Sequence, residues 1–234
     1  MMKFEKRELS SKLTCNRDEI TPITPDEYGS LPGLKICNKF LENSKEKTIF
    51  CIIGTTCAGK DTLVSALCED EKFSPIVSYT DRPIRDNETD GVEHYFVSED
   101  EMTEIINNRK DDIIAYTEIK KDEKSKGYRY LALRDELSIH NVYIIDPAGL
   151  KNLKDNVKKI KTIVIDAPLE VRLERAAKRK DKKEEVMKRV ENESKMFEDF
   201  INSKDYDLYI DNSSFDNFEK NIKIIREFCN SYLD

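Results

Sequence analysis

Metal-binding and disulfide signatures are missing from this 234-residue sequence. Its six cysteines are Cys15, Cys37, Cys51, Cys57, Cys68 and Cys229; none form a C-x-x-C pair, and neither of the two histidines, His94 and His140, lies beside one. That argues against structural zinc and a disulfide framework, and for a reduced, cytoplasmic setting. Long apolar runs are absent too. The stretch Ile49–Ile53 is among the longest and is far too short to cross a bilayer, so no membrane partner is expected. The opening MMKFEKRELSSK lacks the apolar region of a secretory signal. Positive charge is in deficit, 40 Lys and Arg against 47 Asp and Glu, a net charge of −7. Polyanionic backbones select basic surfaces, so a nucleic-acid polymer is not the expected partner. A small anionic ligand needs only a local basic pocket and stays open. No Ser-His-Asp set is recognisable around His94 or His140, the two histidines.

Hydrophobic residues make up 38% of the chain, enough for a core, and charged residues 37%, enough for a heavily solvated surface. Residues 1–46 read as an extension: TPITPDEYGSLPG is broken by Pro and Gly, and no chemistry is visible there. From Thr48 the pattern turns regular. TIFCII reads as a buried strand, followed by a Gly-bearing loop and a helix over about 60–69. IVSYT, VEHYFV, DIIAYTEI and YRYLAL read as strands, with a helix over MTEIINN opened by the capping-box pair Ser98 and Glu101. NVYIID, KTIVID and DLYID each read as a strand followed by a helix. Strand-then-helix alternation predicts an α/β fold with a mainly parallel sheet flanked by helices, and residues 75–131 read as a strand-rich insertion.

Glycine is scarce, at seven residues, yet two of the seven stand in the segment GTTCAGKDT. It follows a predicted strand and precedes a predicted helix, the context a phosphate loop needs. There, backbone N–H groups and a helix N-terminus converge on an anion. Gly54, Thr55, Thr56, Cys57, Ala58, Gly59, Lys60, Asp61 and Thr62 are therefore candidate ATP-binding residues. Lys60 is placed to neutralise charge on the β- and γ-phosphates. Asp61 stands where the plain motif has Ser or Thr, with Thr62 next; either suits a Mg²⁺ ion carried by ATP. Cys57 is either a thiol activated by the helix N-terminus or a small side chain filling the loop.

Arg82 and Arg85 flank Pro83, which stiffens their loop. Two guanidinium groups at this spacing can fork onto one phosphate, or can pair with Asp81 and Asp86. Ser78, Thr80, Arg82, Arg85, Glu88, Asp90, Gly91, Phe96, Val97 and Ser98 fall in register with the pattern S-x-T-T-R-x-P-R-x-x-E-x-D-G-x-x-Y-x-F-V-S. On these residues and the loop, the sequence from about Thr48 onward resembles guanylate kinase, a P-loop nucleoside monophosphate kinase. The resemblance implies that residues 47–234 form one such domain, with residues 75–131 binding the acceptor and residues 168–190 forming a helical lid. It implies that Arg82 and Arg85 hold the acceptor's phosphate and that Ser78 lies near its base. Asp146 matches a family Asp near the base, and Tyr130 matches a family Tyr.

The pattern departs from the family at the base. His94 takes the place of a phosphate-binding Tyr, and Tyr95 follows it; His94 either donates to phosphate or is a packed strand residue. Ala115 falls where the family carries its base-reading Glu, with Glu118 a substitute three residues on, and Ala132 takes a hydroxyl position. In the lid, Arg172, Arg175 and Arg179 share a helical spacing of three and seven. The resemblance implies Arg175, Arg179 and Arg189 as the arginines that close over ATP, and Asn212 as an adenine contact.

Together these residues predict phosphoryl transfer from MgATP to a nucleoside monophosphate, GMP or dGMP first. Lys60, Arg82, Arg85, Arg175, Arg179 and Arg189 would act by positioning and charge neutralisation. Other acceptors remain as alternatives. They are a different nucleotide or ribose 1,5-bisphosphate, whose phosphokinase is similar in its glycine loop. A non-catalytic guanylate-kinase-like binding module is the alternative of another class.

Overall fold

The computed structural model describes residues 48–85, 88–119, 127–138 and 140–233. The extension read over residues 1–46 lies outside them, as does Asp86. Strand β1 (Thr48–Ile53) is buried along its whole length. An unbroken apolar run of this kind belongs in the middle of a parallel sheet covered on both faces. It lies there: the five-stranded sheet has the order β2-β7-β1-β8-β9, with β2 (Ser74–Pro75), β7 (His140–Ile144), β8 (Ile160–Asp166) and β9 (Leu208–Asp211). Every pairing in it is parallel. β2 is only two residues long and carries no periodicity that a sequence reading could detect.

Side chains alternate across β1. Phe50 and Ile52 enter a core with Leu63, Val64 and Leu67 of helix α1 (Lys60–Leu67). Ile49, Cys51 and Ile53 enter the opposite core with Leu150 and Leu153 of a later helix. The first core is closed by the C-terminal helix, through Ile222 and Ile225.

A second sheet, of order β4-β3-β6-β5, is built from β3 (Ser78–Thr80), β4 (His94–Phe96), β5 (Ile113–Ile119) and β6 (Tyr128–Leu133). Helix α2 (Glu99–Asn108) covers one face with Met102 and Ile105. Ser98 caps it, accepting from Glu101 N–H while the Glu101 carboxylate accepts from Ser98 N–H, so the capping box is complete.

Helix α3 (Pro147–Asn156) follows β7 and is capped by Asp146. Residues 168–190 are not one continuous helix. α4 (Leu169–Lys178) stops at Arg179, Lys180 adopts a left-handed φ of 62°, and α5 (Lys183–Ser203) then starts afresh. Arg172 and Arg175 thus share a helix face, while Arg179 projects from its C-cap. Helix α6 (Phe218–Asn230) closes the chain. Among the described residues, no helix is long and apolar enough to cross a membrane.

Candidate active site

The phosphate loop runs from the end of β1 into α1 and is shaped by close approaches. Gly54 passes so near β8 that a Cβ there would lie 2.2 Å from the Ile165 carbonyl oxygen. Gly59 has φ 98°, and a Cβ there would lie 2.5 Å from Asn212 Nδ2. Side chains that converge from outside hold the loop's carbonyls. Lys60 Nζ donates to Gly54 O (2.7 Å) and Thr55 O (3.0 Å). Arg172 donates to Thr56 O at 3.4 Å. Arg175 and Asn212 both donate to Ala58 O, at 2.9 and 2.8 Å. Thr56 N–H is taken by Glu193 and Ala58 N–H by Thr55 O; with carbonyls drawn toward cations and amides, the loop's other N–H groups can serve an anion, which is the requirement of a phosphate cradle.

Burial lowers the Lys60 ammonium pKa, and neighbouring Asp61 works against that shift. Asp61 and Thr62 lie exposed in the first turn of α1. Burial pushes the Cys57 thiol up, against the pull of Arg179, whose Nη2 lies 2.8 Å from Sγ. Cys57 packs with Ala176, Val186 and Val190 of the lid helices. Of the two readings of this residue, the structure favours a packed, neutral side chain.

Beside the loop is a cavity of about 450 Å³, bounded by Gly59, Leu63, Arg175, Lys178, Asn212 and Phe215 among others. Arg175 also donates to Asn212 O at 2.7 Å. Its guanidinium stands 5.1 Å from the Phe215 ring centroid, and Lys178 Nζ stands 3.9 Å from it. The sequence pointed to Arg175 and Asn212 but not to Phe215, an exposed aromatic that opens a three-residue 3-10 helix.

Across the cleft, Arg82 is nearly buried and meets Glu88 through two hydrogen bonds of 2.6 Å each. Glu88 also accepts from Arg85 N at 3.0 Å and from Arg85 Nη1 at 3.4 Å. One carboxylate therefore organises both arginines. Asp81, offered as a partner for them, instead pairs with Arg129 at 2.6 Å. Burial raises the Glu88 carboxyl, but the two arginines hold it below the usual range. The Arg82 guanidinium also stacks over Phe96 at 5.1 Å.

The sheet register decides which other residues reach this face. Ser78 pairs with His94, and Thr80 pairs with both Phe96 and Tyr130. Thr117 pairs with Tyr130. These residues share one side. Ser78 Oγ and His94 Nδ1 share a hydrogen bond of 2.8 Å. Burial, seconded by Arg82, lowers the His94 pKa to about 4, so the imidazole is neutral. Tyr95 points the other way and stacks on Tyr79 at 4.8 Å, on the α2 side of the sheet. Glu118 pairs with Arg129, whose side chain reaches Thr103 Oγ1 and Glu99 O of α2. Both Tyr95 and Glu118, expected at the acceptor, are therefore carried to the opposite face by strand parity. Thr117, passed over in the sequence, stands on the same side as Ser78 and Tyr130, and its hydroxyl is near enough to Asp146 to lower that carboxyl. Asp146 accepts from Gly149 N at 2.8 Å as the cap of α3, and burial raises its carboxyl. Ala115 and Ala132 are buried with Tyr143 in the core beneath.

The charge of Arg189 is felt at both clusters. It lowers the pKa of Arg85, behind the larger effects of burial and Arg82, and it also pulls on Cys57 of the phosphate loop.

Comparison with known proteins agrees with this geometry. The family model described as guanylate kinase matches residues 45–231. The chain belongs to the guanylate kinase family. It is 27% identical to a guanylate kinase of Vibrio parahaemolyticus, over 76% of this chain and 86% of that one. It is 29% identical to one of Haemophilus influenzae, over 74% and 83%. The solved guanylate kinase of Anaplasma phagocytophilum superposes with a TM-score of 0.56 at 20% identity, covering 79% of this chain and 85% of that one, a likeness of fold.

Proposed function

We propose that this member of the guanylate kinase family transfers the γ-phosphoryl group of MgATP to a nucleoside monophosphate, with GMP or dGMP the first choice. The observation that carries this reading is the presence of two candidate anion sites, both within electrostatic reach of Arg189. They are the phosphate loop and the Arg82–Glu88–Arg85 cluster. The adenine of ATP enters the cavity beside Asn212, where the Phe215 ring and the Arg175 guanidinium offer planar faces. The phosphates sit on the loop's N–H groups, and Lys60 exchanges the carbonyls of Gly54 and Thr55 for phosphate oxygens.

The acceptor phosphate takes Arg82 and Arg85. Its second pKa is about 6, so the attacking oxygen is already ionised at neutral pH and no general base is required. The neutral, half-buried His94 is consistent with that. Arg175, Arg179 and Arg189 then meet charge on the travelling group, which is the main work of a phosphoryl-transfer site. Thr62 and Asp61, in the first turn of α1, fit a Mg²⁺ ion held chiefly by ATP phosphates, because that ion keeps most of its ligands from phosphate and water. When bound it supplies charge neutralisation.

The base side supports a second reading of the acceptor. Ala115, in the position of the family's base-reading Glu, leaves Ser78, Thr117 and Asp146 as the polar groups near the base. Asp146 is the carboxylate that suits guanine's adjacent donors; a different base, or a ribose bisphosphate, would need it less. The test is ADP release from MgATP with GMP, dGMP, AMP, CMP, UMP, dTMP and ribose 1,5-bisphosphate offered in turn. Turnover with GMP or dGMP alone is expected. Turnover with another acceptor alone would reassign the substrate, and silence with ATP bound would favour a binding module.

A further inference from the structure

Thr56 is the third residue of the phosphate loop, and both lid helices hold it at once. Glu193 of α5 accepts from Thr56 N at 2.6 Å on Oε1 and from Thr56 Oγ1 at 2.9 Å on Oε2. Arg172 of α4 donates to Thr56 O and lies 3.5 Å from Glu193 Oε1. All three polar groups of Thr56 thus end on one ion pair, whose side chains are 11% and 17% exposed. Such a pair is poorly explained by stability. An apolar pair of similar volume is often as stable or more so, whereas a registry role is the best-attested use of a buried pair.

The spacing supplies that role. Arg175 stands three residues beyond Arg172 on α4, and Arg189 stands four residues before Glu193 on α5. Residues three and four apart lie on one helix face, about one turn from each other. Each lid helix therefore carries an anchor on the loop and, one turn away, an arginine facing the cleft.

We propose that Arg172 and Glu193 are a positioning couple. Through Thr56 they lock the phosphate loop in register with both arginine-bearing helices, so that the ATP cradle and the arginines assemble as one unit. Neither residue touches substrate. The inference rests on the reading of this loop as the ATP site.

The test uses the full chain with Arg172→Met, Glu193→Gln and the double variant. Melting temperature, kcat, the KM of MgATP and the KM of the acceptor are measured together, with titration of a non-hydrolysable ATP analogue in parallel. Each single variant is expected to melt earlier, because it leaves one buried charge unpaired. Each is expected to raise the KM of MgATP by at least about tenfold and to lower kcat, since small misplacements at a reacting centre are costly. The acceptor's KM is expected to change less than about twofold, these anchors lying on the donor loop. The double variant leaves no charge unpaired; it is expected to regain most of the melting temperature but not the ATP affinity or kcat. If it regains both, the pair is only a brace and the proposal is overturned. Unchanged analogue affinity in the single variants would overturn it too. Tighter analogue binding by Glu193→Gln would make Glu193 a competitor of phosphate, which is equally fatal to it. Should the parent bind the analogue but turn over no acceptor, the kinase reading fails while the analogue titrations still judge the couple.

Discussion

Replacing Glu88 by Ala separates the acceptor site's framework from its ligand. In the parent, Glu88 accepts two hydrogen bonds of 2.6 Å from Arg82, with side chains only 12% and 6% exposed. Its remaining bonds fasten Arg85 N–H and Nη1. Truncation leaves Arg82 charged, buried and short of the one carboxylate it meets among the described residues, where its Nε also lacks a partner. Breaking a pair of this kind by removing one member costs about 3–5 kcal/mol. For a chain of this size each kcal/mol moves the melting temperature by about 2–4 °C. A fall of about 6–20 °C is therefore expected by scanning calorimetry. GMP should recover part of it, because its phosphate dianion supplies the missing charge, and ligand linkage adds to that recovery. Glu88→Gln, which keeps an acceptor but no charge, should fall by less. A Glu88→Ala protein melting within about 2 °C of the parent would mean that Arg82 reaches water, and would refute the argument.

Three further expectations follow from the same geometry. Lys60→Met should lose about 10²- to 10³-fold in kcat, the usual cost of removing one preorganised charge donor, while the loop keeps its shape through Arg172, Arg175 and Asn212; full turnover would end the mechanism. Gly59→Ala drives a methyl group into Asn212 Nδ2 at a position with φ 98°; it should weaken ATP-analogue binding in a titration and leave the acceptor's KM unchanged, whereas parent-like affinity would contradict it. His94 has a folded pKa of about 4 against an ordinary 6.5, so between these values the unfolded chain binds more protons. Stability should fall as pH drops from 6.5 toward 4. His94→Gln should flatten that slope in denaturant titrations at stepped pH, and an unaltered slope would assign it to other groups.

The sequence showed the parallel sheet because β1, β7 and β8 are apolar runs, each leading to a helix, and it showed the phosphate loop because Gly54, Gly59 and Lys60 stand at fixed spacing between two such elements. What it left obscure depends on parity and on partners. Tyr95 and Glu118 look suited to an acceptor, yet a strand turns successive side chains to opposite faces, and only the pairing Ser78↔His94 and Glu118↔Arg129 says which face is which. Thr117 was invisible for the same reason. Arg172 looked like one more arginine on a basic helix. Its partner Glu193 is 21 positions away, beyond a helix break at Lys180 that periodicity did not reveal. Glu88 stood in plain view within the motif, but its role as the link between two arginines needed the positions of Arg82 and Arg85 around it.

That arrangement also explains how an acidic chain builds a cationic cleft. Arg82 and Arg85 share Glu88, Arg172 has Glu193, Arg179 has Asp181 at 2.8 Å, and Arg189 lies 3.9 Å from Glu185. These five guanidinium groups each lie beside a carboxylate, shared in the case of Arg82 and Arg85, so they can stand near one another with less uncompensated repulsion. The pairs differ in burial, and burial sorts their roles. Glu88 and Glu193 are held at 12% and 17% exposure, fixed parts of the framework whose removal strands a charge. Glu185 is 57% exposed, and screened pairs of that kind contribute little. Arg189 can therefore leave Glu185 for a phosphate at small cost, while Arg172 cannot leave Glu193. By this logic Glu185→Ala should leave stability nearly unchanged and should not raise the KM of MgATP. Were it as damaging as Glu88→Ala, burial would not be what divides anchored arginines from mobile ones.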